Sequence, residues 1–258
     1  MIARGVHRHA QFKLGMRDYR RDPRNLRLSQ CFRSRIALPI VPSIYSYEEA
    51  HPDIPLPMFA NDRLGCCVIS GRAHWTLALE KFEQGRVLNI TDTEIENQYF
   101  AETGGKDSGL NPEKSLNVWR QQGWMAGGKR YNIHLWGDVD PKNKTDVIST
   151  IYLLEGAGFA LQLPKSAQSQ IGKTWDVAPW WRGGRAGSWG GHWVTARSYN
   201  PTGPVCITWG AKQQMTWEFV SKYCVGCYGI VDERDKWLGD SSPVDIAKAE
   251  QYLKEIRA

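Results

Sequence analysis

Two adjacent cysteines, Cys66 and Cys67, stand in the stretch N-D-R-L-G-C-C-V-I-S-G over residues 61–71. A cysteine acts as a nucleophile through its thiolate, which needs a helix N-terminus, a neighbouring cation or both. Cys67 opens a run with helical apolar spacing, so the free N–H groups and dipole of that helix favour an anion at its sulfur. Cys66 lies about a hundred degrees away around the same axis and reads as a structural neighbour. A base must come from farther off. His7 and His9 lie in a basic N-terminal stretch, His51 in a Pro-rich loop and His134 in a loop or strand. His74 sits two turns along the helix of Cys67 and points to that helix's own surface or core. His192 differs: it follows the glycine-rich G-S-W-G-G and opens a strand, which presents its ring at a lobe edge. Together, Cys67 and His192 could attack a carbonyl carbon and protonate its leaving group.

The elements that must hold this pair are well punctuated. Val68, Trp75, Leu77, Leu79 and Phe82 recur at helical spacing up to a stop at Gly85. T-D-T-E-I-E-N-Q-Y-F-A-E-T-G-G offers Thr91 or Asp92 as a cap and a Gly-Gly stop, and N-P-E-K-S-L-N-V-W-R-Q-Q-G has Asn111 as N-cap and Pro112 at the first helical position. K-T-D-V-I-S-T-I-Y-L-L-E-G-A-G is a fourth helix. Strand-like runs follow, F-A-L-Q-L-P, H-W-V-T-A-R-S-Y, V-C-I-T-W and C-Y-G-I-V-D, with a short helix M-T-W-E-F-V-S-K-Y before the last. Helices first and an antiparallel sheet second define an α+β protein of two packed lobes, with the site expected in the cleft between them. Residues 1–58 read as a basic, Pro-punctuated extended arm, 59–232 as the domain and 233–258 as a helical tail.

Composition fits a globular chain of 258 residues, with 41% hydrophobic and 23% charged. Seven of the twelve Trp fall between positions 175 and 217, as aromatic walls or core filling in the C-terminal half. The net charge of +6 is concentrated: residues 1–40 hold ten Lys/Arg against two Asp, a net of +8, which leaves −2 for the remainder. Such an arm suits nucleic acid, a phosphate-rich surface or an acidic protein, although stacking aromatics are sparse in it. No apolar run approaches the roughly 18 residues of a membrane span, and no signal peptide is recognisable. I-A-L-P-I-V-P-S-I-Y, broken by Pro39 and Pro42, reads as an extended strip laid on a surface. A cytoplasmic or virion-associated location and free thiols follow, and the Cys224–Cys227 pair lacks the further ligands of a zinc site, so no metal or cofactor is expected.

The order and spacing of these features resemble the papain-like cysteine peptidase superfamily over roughly residues 55–232. N-D-R-L-G-C-C is similar to the family's Q-x-x-x-G-x-C run, with Asn61 in place of the Gln that helps bind the oxyanion. W-G-G-H (189–192) and T-W-G (208–210) are similar to signatures of uncharacterised bacterial and phage proteins of this type. The resemblance implies a papain-like two-lobed fold, with a helical N-terminal lobe and a β-sheet C-terminal lobe. It implies Cys67 as nucleophile, His192 as base and acid, Asn61 as oxyanion donor, Gly65 and Gly191 along the substrate path, and Trp209 shielding the site. The Asn that orients the histidine in the family is matched by Ile207, which cannot do so; Thr208 is the nearest polar candidate, on the opposite face of the strand. Three functions follow as expectations: a hydrolase of peptide or amide bonds; a phage virion or assembly protein that uses the arm as anchor to capsid, connector or nucleic acid; and an arm that inhibits by occupying the cleft.

Overall fold

The computed structural model describes residues 12–33, 39–233 and 242–255. His7, His9, residues 36–38 of the apolar strip and the last three residues of the tail lie outside this set.

The helices form where their caps stand. After a short α1 (Tyr47–Ala50), α2 (Cys67–Gln84) begins at Cys66 and ends on Gly85, whose φ of 68° supplies the left-handed C-cap. α3 (Asp92–Thr103) carries a complete capping box between Thr91 and Glu94, and α4 (Pro112–Gln122) is capped by the Asn111 side chain. α5 (Lys144–Leu153), α6 (Trp217–Tyr223) and α7 (Ile246–Glu255) complete the set.

A small hairpin pairs β1 (Trp124–Ala126) with β2 (Lys129–Tyr131). The main sheet contains β3 (Ile133–Val139), β4 (Ala157–Leu163), β5 (Thr174–Trp175), β6 (Gly190–Asn200), β7 (Gly203–Thr208), β8 (Ala211–Met215) and β9 (Cys224–Asp232). Its order is β3-β9-β4-β6-β7-β8-β5. Two details depart from the expected helices-then-antiparallel-sheet plan. β3 enters from between α4 and α5, and the two-residue β5 joins β8 in parallel, so the sheet is mixed. The α+β architecture with a helical half and a sheet half stands.

α2 lies directly on β6, and its sequence makes that approach possible. A Cβ at Gly71 would fall 2.5 Å from the Trp193 ring, so only glycine lets the helix backbone come this close. The Thr195 hydroxyl donates to the Gly71 carbonyl at 3.0 Å and the buried Arg197 donates to the His74 carbonyl at 3.1 Å. This packing sets the mouth of α2 over the start of β6.

The basic N-terminal stretch is not free in its described part. Leu26 and Leu28 are buried against β3, with Asp138 N–H donating to the Leu26 carbonyl at 2.6 Å. Phe32 bridges to Val244 next to α7, and Tyr45 bridges to Tyr199 of β6. Of the apolar strip, Val41 and Tyr45 pack on the core whereas Ile40 and Ile44 face solvent.

Candidate active site

Cys67 is the first residue of α2, and its sulfur receives the backbone N–H of Trp193 at 3.4 Å, immediately after His192. The two residues expected from sequence to form the pair therefore both lie at the α2–β6 contact, with no hydrogen bond between their side chains. His192 is completely buried, stacked on Trp209 with ring centroids 4.3 Å apart and planes at 13°. Trp189 packs on the far side of the same cluster, 5.5 Å from Trp209.

Thr208 ends β7, and its Oγ1 lies 2.7 Å from His192 Nε2. Ile207, one residue earlier, is buried on the other face, so the position that failed the family comparison is not the one that meets the imidazole. Nδ1 makes no hydrogen bond, and the tautomer with its proton on Nε2 would donate to Thr208 and leave the Nδ1 lone pair unengaged.

Asn61 is buried, and its Nδ2 donates to the carbonyls of Leu64 at 3.1 Å and Lys13 at 3.4 Å. Gly65 is held by its N–H on the Asp107 carboxylate at 2.9 Å. Cys66 turns away, its sulfur beside the Phe59 carbonyl and the Ser70 hydroxyl, both at 3.4 Å. His74 is buried against Phe59 and plays no part in the cleft. Cys224 and Cys227 are free thiols on β9, and no group of three His, Cys, Asp or Glu among the described residues could hold a metal.

The cleft itself is occupied by the chain's own residues 13–19. Lys13 N–H donates to the Asn61 carbonyl at 3.3 Å, and the Lys13 carbonyl accepts from Trp209 Nε1 at 3.1 Å. Met16 N–H reaches the Gly191 carbonyl at 3.1 Å, Arg17 N–H the Leu110 carbonyl at 2.9 Å, and Leu110 N–H the Gly15 carbonyl at 2.8 Å. Tyr19 ends the crossing with its hydroxyl 2.6 Å from that of Tyr228. This strap lies on the backbones of Gly65 and Gly191; a Cβ at Gly191 would fall 2.3 Å from the Met16 carbonyl oxygen, and one at Gly65 would press on Leu14 and Gly15 at 3.1–3.2 Å.

Burial governs the electrostatics. Cys67 is 1% exposed, and burial pushes its thiol up to about 11. The backbone N–H groups of Trp193, Gly15, Val68 and Cys67 act in the opposite direction, as a helix N-terminus should, and are outweighed. Burial alone pushes His192 down to about 3. Beneath the strap the pair is a thiol and a neutral imidazole. Sequence reasoning did not find Trp189, Gly15 or the carboxylates Glu113 and Asp138, which meet Asn25 just beyond the strap. Trp189 was the one with a visible signal, since it belongs to the W-G-G-H run.

No family model and no curated protein matches the sequence. Solved structures do match by shape. Xylellain, a cysteine protease from Xylella fastidiosa, aligns with a TM-score of 0.65 at 12% identity over 88% of this chain and 98% of its own. ProCathepsin B from Trypanosoma congolense aligns with 0.61 at 11% identity, over 87% and 88% respectively. A cysteine protease of Carica candamarcensis aligns with 0.57 at 13% identity, over 75% and 100%. Among the described residues no helix is long and apolar enough to cross a membrane. With Cys67 at the helix mouth and His192 at the head of the facing strand, the chain has the fold of the papain-like cysteine proteases.

Proposed function

We propose that the chain is a cysteine hydrolase of peptide or amide bonds, held in a latent form by residues 13–19. The observation that carries the reading is His192 bonded through Nε2 to Thr208 and stacked on Trp209, with Nδ1 unengaged, one residue before the Trp193 N–H that meets the Cys67 sulfur at 3.4 Å. In the open form, the Cys67 proton passes to His192 Nδ1 and the sulfur adds to the substrate carbonyl carbon. The oxyanion is received by the Cys67 N–H and Asn61 Nδ2. His192 then gives its proton to the departing amine, leaving a thioester that water cleaves as His192 takes a proton again. Thr208 is a positioning residue that keeps Nδ1 toward the thiol. Gly65 and Gly191 let an extended backbone lie flat, as the strap does.

The occupied cleft favours a latent enzyme over an arm that reaches outward to a capsid, connector or nucleic acid. The Lys13 carbonyl already engages the Asn61 amide, and the Gly15 N–H rather than a carbonyl carbon meets the thiol. The test is a thiol-directed activity probe on protein whose strap has been displaced. Labelling at neutral pH that disappears in Cys67→Ala supports the reading. Displaced protein that remains unlabelled refutes it.

A further inference from the structure

Beside the cleft, the segment between β4 and β6 folds into a knuckle over residues 178–188 that the catalytic reading does not use. It is rigidly pinned. Ser166 N–H donates to the Gly183 carbonyl at 3.1 Å, Gly187 N–H to the Gln162 carbonyl at 3.1 Å, and the Tyr223 hydroxyl to the Gly184 carbonyl at 2.8 Å. At its tip Trp180 and Trp181 are 76% and 68% exposed, with rings perpendicular at 88°. A recess of about 530 Å³ opens beside Trp180, lined by Lys165, Arg185, Gly183, Gly187 and Ser188. Residues 164–189 hold Lys165, Lys173, Arg182 and Arg185 against the single carboxylate Asp176, which is engaged by Thr216 and by Val177 N–H. Among the described residues none of these four cations has a carboxylate partner.

The recess adjoins the cleft wall along the chain. Ser188 leads through Trp189 to Gly190 and Gly191 on the cleft wall. Gln162, whose carbonyl holds Gly187, also donates from Nε2 to the Asp18 carboxylate of the strap at 2.7 Å. The strap thus brings an acid to Gln162, one hydrogen bond from Gly187 in the recess lining. Two unpaired cations beside an exposed aromatic face suit carboxylate side chains on a flexible chain. Perpendicular rings cannot sandwich stacked bases, and a recess is not the shape of a bilayer surface.

We propose that the Lys165–Trp180–Arg185 recess docks an acidic stretch of a polypeptide, extending the cleft's reach to substrates carrying Asp or Glu beyond the bond cut. The word substrate rests on the hydrolase reading; the docking does not. The test is fluorescence anisotropy with the full chain and a fluorescein-labelled hexaglutamate peptide at low ionic strength. Hexaglutamate should bind about tenfold more tightly than hexaglutamine. Lys165→Gln with Arg185→Gln should weaken it about tenfold and Trp180→Ala about fivefold, at unchanged melting temperature. Equal binding of hexaglutamine overturns the proposal, and so does unchanged affinity in the double variant, which would assign the binding to the basic N-terminal stretch. Tighter binding of an oligothymidine or of phosphatidylserine vesicles, lost in the same variants, overturns it in favour of that partner. Failure of Cys67 labelling would remove the hydrolase reading and leave this measurement standing.

Discussion

Gly15→Ala should open the cleft. A Cβ at residue 15 would lie 1.7 Å from the Gly65 carbonyl oxygen and 2.1 Å from its carbon, against backbone that cannot yield as a flexible side chain would. Gly15 is not among the residues at positive φ, so Ala costs the free strap nothing and acts only on docking. Relief of the overlap requires residues 13–17 to lift. That breaks four backbone bonds: Lys13 to Asn61, Met16 to Gly191, Arg17 to Leu110 and Leu110 to Gly15. At about 0.5–1.5 kcal/mol net for each, the docked state loses roughly 2–6 kcal/mol. Since about 1.4 kcal/mol is tenfold in a population, alkylation of Cys67 should accelerate at least about thirtyfold. The assay is the rate of iodoacetamide incorporation at pH 7, resolved by mass spectrometry on the Cys67 peptide. Wild-type protein should react slowly, because the thiol is buried and pushed up to about 11. A Gly15→Ala rate within threefold of wild type, in protein that melts normally, would refute the claim that the strap controls access.

Thr208→Val should lower kcat of the opened enzyme about tenfold to hundredfold, from loss of one hydrogen bond to a ring that becomes charged. Thr208→Ser should restore most of it, and the acid limb of the pH profile should move in Val but not in Ser. Asp138 is raised to about 6, chiefly by burial, with Arg21 and Asn25 pulling the other way. The folded state therefore binds more protons than the unfolded chain between about pH 4 and pH 6, so this group makes stability fall as pH rises through that window. Asp138→Asn should flatten that slope in thermal melts and gain on the order of 2 kcal/mol at pH 7. Cys66→Ala should leave probe labelling within twofold of wild type and cost about 1 kcal/mol in denaturant unfolding, as expected of a small buried apolar group.

The sequence was most informative where local chemistry decides the structure. The caps at Thr91 and Asn111 and the stop at Gly85 are the ends of α3, α4 and α2, because capping depends on neighbours within four residues. β3 and the β1–β2 hairpin went unread. The run I-H-L-W-G-D-V is buried at nearly every position and so lacks the alternation of a half-exposed strand, and the hairpin strands have three residues each. Cys67 and His192 were each singled out by local signals, a helix mouth and a strand start after glycines, whereas the α2–β6 approach at Gly71 that brings these elements together across 125 residues is a tertiary event. Counting positions matches the orienting group to Ile207, and Thr208 entered only as the nearest polar side chain, on the opposite face of the strand. The imidazole is met by whichever face of β7 turns toward it, and that face carries Thr208. The strap has no period to read, so its path in the cleft rested on the backbones of Gly65 and Gly191, beyond any pattern in residues 13–19.

Two anchors described above fix how the strap behaves over time. Downstream of the cleft crossing, Leu26 and Leu28 are sunk against β3 and Phe32 is bridged to Val244, while Arg20, Arg21 and Arg24 between crossing and anchor are exposed. Lifting residues 13–19 therefore swings them on a short leash instead of releasing them. The cover faces its site at an effective concentration set by that leash, and dilution of the protein does not open it. A single cut at the exposed arginines would change the order of the reaction: reclosure becomes a bimolecular encounter, which falls away as the severed peptide disperses.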